Sequence, residues 1–235
     1  MYFYHSDAVW NRFPNLAAMA MVLGNVRTSS TKTADIDDTL DRVAARLETT
    51  SEGEMSSIQA WRQAYAAMGF KPTQYRCAAE ALLRRYRKDR HLPRLLHPLI
   101  DALNAESMNA AIPIAVFDCD HVVEGIVVRP AAGTEVYHSF QGETEQPAEG
   151  EIIFADAAGQ AHSRRWVFRQ SAESAVSASS ETVLIIAEAL HQTALEDLQS
   201  LRERIVVRAQ QLGTEVIDDQ ILTGSHRRFV FTNSI

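Results

Sequence analysis

Apolar and polar positions recur along this chain with two different periods, and the change of period divides it into regions. The N-terminal segment predicts a short strand, a helix around Asp7 to Phe13, and an apolar strand from Leu16 to Val26. The polar tract TSSTKT follows as a loop. Ile36, Leu40, Val43, Ala44 and Leu47 then recur at helical spacing between Asp35 and Leu47. A second polar loop, ETTSEGEMSS, leads into a helix near Ile58 to Met68, which Gly69 and Pro72 end. In RCAAEALLRRYR the residues Ala78, Ala79, Leu82, Leu83 and Tyr86 make one stripe opposite the arginines. A further helix is expected after Pro93, with that proline near its first turn, running to about Asn104.

After Ile112 the period shortens. IPIAVFD, GIVVRPA, EVYHSF, EIIFAD and HSRRWVFRQ are short segments rich in β-branched and aromatic residues. Turn residues separate them at Gly133, Gln141–Gly142, Gln146–Gly150 and Ala157–Gly159, the pattern of a largely antiparallel sheet. TVLIIAEAL continues as a strand or the start of a buried helix, which periodicity alone does not decide. From Thr193 the residues Leu195, Leu198, Leu201, Ile205, Ala209 and Leu212 step by three and four, so a long helix is expected until Gly213. The last residues read as strand-like pieces. The expected fold class is therefore α+β: helices first, a sheet in the middle, and a long helix laid along it, in one unit spanning 1–235.

Composition narrows the function classes. The chain has 235 residues, 46% hydrophobic and 23% charged, enough for a substantial core without staples. No apolar run approaches the roughly 20 residues that span a bilayer, and MYFYHSDAVW lacks the form of a signal peptide. Cys77 and Cys119 have no CxxC partner, which suits a reducing compartment, and a cytoplasmic location is expected. A net charge of −7 argues against a generic nucleic-acid binder but leaves room for a local basic patch. RRYRKDRHLPR supplies one, with Arg84, Arg87 and Lys88 on neighbouring positions of a helix face. A solvated helix face is the plainer alternative for that run.

The chain has no GxSxG elbow, Walker A loop, HExxH or GxGxxG after a strand. Asp118, Asp120 and His121 read as a strand-end turn cluster rather than a metal site, because His121 points away from the face the two acids share. Glu188 and His191 lack the second motif that a di-metal bundle needs, so no metal or cofactor is expected. Cys119 lies between two acids, which raise its pKa and disfavour a nucleophilic thiolate. Two features stand out. Glu188 would share one side of a strand with Leu184, Ile186 and Leu190, and a carboxylate on an apolar face needs a partner or a pocket. In RRWVFRQ, read as a strand, Trp166 and Phe168 take one face while Arg165 and Arg169 take the other. That arginine pair suits a carboxylate or phosphate, or a cross-strand ion pair.

WRQAYAAMGFKPTQYR, EALLRRY, LPRLLHPLIDALNAESMNAAIP, IAVFDCD, GIVVRPA, GEIIFAD and RRWVFRQS occur in an order that resembles the free-standing B3/4-domain proteins. These are relatives of the B3/B4 editing domain of the phenylalanyl-tRNA synthetase β subunit, and the resemblance covers roughly residues 58–190. Segments 1–50 and 193–212 would pack on that domain. The resemblance implies hydrolysis of an amino acid wrongly esterified to tRNA, by a domain that is not a complete synthetase. In the family a Thr-Asn pair, a His, a glycine-rich turn and a Glu form the pocket. Asn104 and Glu188 fall where the Asn and Glu belong, and are the implied catalytic residues. Leu103 replaces the Thr, Ala115 the His, and WVFRQS the glycine-rich turn. Losing groups built to hydrogen-bond a substrate changes selectivity by orders of magnitude. Under that reading the residues themselves offer Arg165, Trp166 and Arg169 as the expected substrate-binding set, and Arg84, Arg87 and Lys88 as the expected RNA-binding set. The expected partner is tRNA or an aminoacyl ester. The alternatives are a non-catalytic module binding tRNA or an amino acid, and a protein acting on a small amino-acid derivative without RNA.

Overall fold

Residues 1–91 and 97–232 of the chain are described by the computed structural model. Strand β1 spans Tyr2–His5, helix α1 Asp7–Arg12, and strand β2 Ala17–Gly24, buried at every position as its unbroken apolar run demands. A short helix α2, Val26–Ser29, occupies the start of the expected polar loop. Helices α3 (Asp37–Thr49), α4 (Ser56–Ala67) and α5 (Ala78–Asp89) follow where the apolar stripes require them. The expected helix start at Pro93 lies outside the described residues, as does Arg94. The helix that they do show, α6, runs from Pro98 past Asn104 to Ala110. Pro98 stands in its first turn, where a missing N–H costs nothing, and His97 Nδ1 accepts the Leu99 N–H at 3.3 Å.

Short strands come next: β3 Ile114–Asp118, β4 Gly125–Pro130, β5 Tyr137–His138 and β6 Thr144–Glu145. β7 covers Ile152–Ala155, β8 Ala161–Arg164 and β9 Arg169–Gln170. TVLIIAEAL is a strand, β10, Val183–Ala189. Helix α7 spans Ala194–Leu212, and strands β11 (Glu215–Leu222) and β12 (Arg228–Val230) close the order. The fold is α+β and largely antiparallel, but its strands divide between two main sheets rather than one. The first has the order β12-β1-β4-β7-β8-β9, with β1 and β4 parallel. The second is β11-β2-β10-β3, antiparallel throughout, and β5 pairs with β6 separately.

The segment HSRRWVFRQ departs from the expected single strand. β8 stops at Arg164, Arg165 and Trp166 turn through left-handed φ values of 47° and 61°, and β9 returns antiparallel. Glu151 drives the reversal by accepting both the Arg164 guanidinium (2.9 and 3.0 Å) and the Arg165 N–H (2.9 Å). Ser163 Oγ donates to the Trp166 carbonyl on the inside of the turn. Arg165 and Arg169 therefore do not share a strand face. Nor do Trp166 and Phe168: the first is fully buried, the second half-exposed.

The main core runs from Phe3 to Phe231 between sheets and helices, and Ala131, Tyr137, Ile153, Ala155 and Ala161 form a smaller second cluster. α7 buries Leu198, Leu201, Ile205, Ala209 and Leu212, each large one contributing about 1.5–3 kcal/mol. Leu195, expected in that stripe, lies 45% exposed, while Ala194 takes the inward position. Gly213, at φ 72°, terminates the helix with its N–H on the Gln210 carbonyl. The parallel β1–β4 pair depends on Gly125, where a Cβ would sit 2.3 Å from the Tyr2 carbonyl oxygen.

Candidate functional site

Glu188 lies on an inner strand of the four-stranded sheet, opposite Ala18 of β2. Cross-strand partners share a side of a sheet, so Ile186, Ala20 and Ala115 fall on the same side as Glu188. Three alanines around one carboxylate leave it room. The side chain is 1% exposed, and a carboxylate so buried must be hydrogen-bonded. Oε1 accepts from Trp166 Nε1 at 2.9 Å and meets His5 Nε2 at 2.5 Å. Trp61 Nε1 donates to the Glu188 backbone carbonyl at 3.3 Å. Oε2 has no partner among the described residues, and neither do the buried His5 Nδ1 and Trp10 Nε1.

Aromatic rings enclose this group. Trp166 meets Phe13 and Trp61 edge-on at centroid distances of 4.8 and 4.9 Å, and His5 meets Trp10 at 5.1 Å. The left-handed backbone at Arg165 and Trp166 drives the indole inward and turns the adjacent guanidinium outward. Arg165 stacks over Tyr75 at 4.7 Å, and its carbonyl accepts the Tyr65 hydroxyl at 3.1 Å. Burial pushes the Tyr65 phenol well above its ordinary pKa, which keeps it a donor.

Two cavities flank the cluster. One of about 370 Å³ is lined by Arg12, Phe70, Tyr75, Arg164 and Arg165, and one of about 230 Å³ by Arg12, Phe13, Gln63 and Leu190. Arg164 is committed to Glu151 and Glu145; the Glu151 hydrogen bonds, outweighing burial, raise its pKa. Arg12 and Arg165 have no carboxylate partner among the described residues. They are the two guanidiniums in the wall of the first cavity that no carboxylate holds, and Glu149 and Glu151 lie in the same wall.

The other expected residues are placed elsewhere. Arg169, on edge strand β9, pairs with Glu145 at 3.3 Å and stacks on Tyr137. Asn104 is half-buried on α6, and among the described residues no hydrogen bond joins it to Glu188. Arg84 and Arg87 both bind Glu52, which is 2% exposed, and Lys88 is exposed beside them. Asp118 caps the turn after β3, accepting the Asp120 N–H at 3.1 Å and the Ser180 hydroxyl at 2.5 Å. Burial, then Asp118 and Asp120, push the Cys119 thiol up to about 12, and burial alone does most of this for Cys77, also about 12. Ser174 Oγ and His162 Nδ1 are hydrogen-bonded at 2.9 Å, and His162 Nε2 lies 3.3 Å from Asp156 without a well-aligned hydrogen bond, but Ser174 is fully buried. The Ser174–His162 pair is a strut between β8 and the serine-rich loop.

The sequence profile of the B3/4 domain matches residues 60–202. The chain belongs to the B3/4 domain family. No curated protein matches it. Among solved structures it is similar to an N-terminal fragment of the phenylalanyl-tRNA synthetase β-subunit from Pyrococcus horikoshii, with 12% identity and a TM-score of 0.46. The alignment covers 91% of this chain and 49% of that one, so this chain spans about half the fragment's length. In this B3/4 domain Leu103 is 2% exposed, a core residue of α6, and Ala115 sits diagonal to Glu188 on β3. His5 and Trp10, outside the matched range, were not expected at the site. One signal was present: His5 follows Phe3 at strand spacing and so shares its apolar side. Arg12 carried no comparable signal.

Proposed function

We propose that this B3/4 domain acts on an aminoacyl ester carried by tRNA, hydrolysing it with an oriented water rather than a protein nucleophile. The observation that carries the reading is the free Oε2 of Glu188, a buried carboxylate whose other oxygen is held by His5 and Trp166. An anchored carboxylate with one open acceptor suits a donor on the amino acid, either its ammonium or a side-chain hydroxyl. Glu188 is 1% exposed behind Trp166 and Phe13, so the reading requires those rings to move aside for that group to reach Oε2. By the family resemblance alone Asn104 would hold the ester, while Arg165 with Arg12, in the wall of the adjoining cavity, takes a tRNA phosphate. Water adds to the ester carbonyl, the C–O bond to the ribose breaks, and the ribose oxygen leaves with a proton. Arg169 plays the lesser part, because Glu145 already occupies it.

The second reading is recognition without catalysis. Leu103 and Ala115, apolar where the family resemblance expects Thr and His, favour it. Incubation with a panel of mischarged tRNAs separates the two. Hydrolysis expects deacylation above buffer for at least one tRNA, lost in Glu188→Gln. Binding alone expects no deacylation but a tRNA gel shift that Arg165→Ala weakens. A protein that neither deacylates nor shifts any tRNA, yet is stabilised by an aminoacyl-adenosine analogue, would overturn the tRNA part of both.

A further inference from the structure

The N-terminus of α4 opens on a cavity of about 490 Å³, separate from the clefts beside Trp166. Ser56, Ser57, Arg46, His191, Asp197 and Arg204 are among its walls. The residue preceding α4 is Met55, which supplies no side-chain cap. The N–H groups of Ser56, Ser57 and Ile58 consequently have no acceptor among the described residues, and they carry the positive end of a twelve-residue helix. The Ser57 hydroxyl is turned away, donating to the Ala111 carbonyl at 2.7 Å.

The side chains add to this. Arg46 donates to the carbonyls of Met108 and Asn109 at the end of α6, meets no carboxylate among the described residues, and leaves its buried Nε unpartnered. Arg204 pairs with Glu106 at 2.8 Å, but Arg208 shares that carboxylate at 3.0 Å, so two cations face one anion. The acid in the cavity wall, Asp197, is engaged by His191 Nε2 at 2.7 Å and the Thr193 hydroxyl at 2.8 Å. His191 is 8% exposed, and its Nδ1 has no partner among the described residues. With Asp197 at Nε2, the Nδ1 position donates in an imidazolium and accepts in a neutral ring. A phosphate suits either state, because it offers both bare oxygens and a P–O–H.

We propose that this cavity is a phosphate-binding site, in which the three α4 N–H groups and Arg46 hold the oxygens and His191 Nδ1 takes the remaining position. It is independent of the proposed ester hydrolysis, since among the described residues the hydrogen bonds of Glu188 go to His5, Trp61 and Trp166 and to none of these groups.

Titration of the intact chain with inorganic phosphate, against chloride at matched ionic strength, tests this. Amide resonances of Ser56, Ser57 and Ile58 should shift saturably. Arg46→Gln should weaken binding at least tenfold and His191→Gln by a smaller factor, while Asp197→Asn should bind as tightly or more so. Absence of a saturable shift in the unmodified protein would overturn the site. So would unchanged affinity in a folded Arg46→Gln, or in His191→Gln should loss of the α6 contacts unfold the first variant. Displacement of phosphate by a short RNA supports a backbone phosphate as the source, and displacement by small phosphomonoesters alone supports a metabolite.

Discussion

His5 Nε2 and Glu188 Oε1 lie 2.5 Å apart, with both residues nearly sealed from water. They are separated by most of the chain, and they join β1 of the six-stranded sheet to β10 of the four-stranded one. Removing His5 leaves a buried carboxylate with Trp166 as its one side-chain donor among the described residues. His5→Ala should therefore destabilise by about 1–3 kcal/mol, read as a lower urea midpoint. In a double-mutant cycle with Trp166→Phe the two losses should not add, because both donors serve the same oxygen. Additive losses would show that the two donors act separately.

A second prediction concerns the basic helix face. Arg84 and Arg87 converge on Glu52, whose carboxylate is 2% exposed, while their own side chains are 45% and 39% exposed. Replacing both with Ala strands that carboxylate and should cost about 2–3 kcal/mol, below the value for a fully sealed pair because water reaches the guanidiniums. Lys88→Ala should fall within about 0.5 kcal/mol of the unmodified protein. Thermal unfolding of the two variants checks this. If the double variant keeps its stability and loses only RNA affinity, the arginines serve RNA rather than the fold.

What could be read in advance depended on how local the cause was. The stripe Leu198, Leu201, Ile205, Leu212 specifies α7 from within its own sequence, and Gly213 marks its end. Glu188 announced itself as an acid on an apolar strand. Its partner did not, since nothing local ties His5 to a residue so distant in sequence. RRWVFRQ misled because alternation satisfies a strand, whereas the reversal at Arg165 and Trp166 is imposed by Glu151 from β7's side of the hairpin. The division into two sheets likewise rests on pairings such as Phe3 with Phe229, which no window along the chain contains.

Acid should remove one identifiable share of stability. Burial raises the Glu135 pKa, but the Ala132 N–H and the Arg129 guanidinium outweigh it and hold the carboxyl down at about 2, against 4.5 unperturbed. A depressed folded-state value means stability that is complete above pH 4.5 and lost as pH falls towards 2. With solvent screening on the Arg129 side, the share is on the order of 1–2 kcal/mol. Unfolding midpoints between pH 6 and 2.5, roughly spanning that window, should fall less steeply in Glu135→Gln. Identical slopes would remove Glu135 as a source of the acid sensitivity.

The Trp166 turn supplies the last prediction. Arg165 leaves it outward, stacked on Tyr75 at 4.7 Å and without a carboxylate partner among the described residues, whereas Arg169 is held by Glu145 at 3.3 Å. An anion entering the neighbouring cavity meets Arg165 in a wall that also carries Glu149 and Glu151, whereas Arg169 is not in that wall and is held by Glu145. Arg165→Ala should weaken tRNA affinity by about 1 kcal/mol, roughly fivefold, and reduce the salt slope by about one. Arg169→Ala should change affinity less and leave Glu145 paired with Arg164 alone. Filter binding across a salt series measures both. Equal losses in the two variants would place the RNA along the edge strand β9 instead of at the turn.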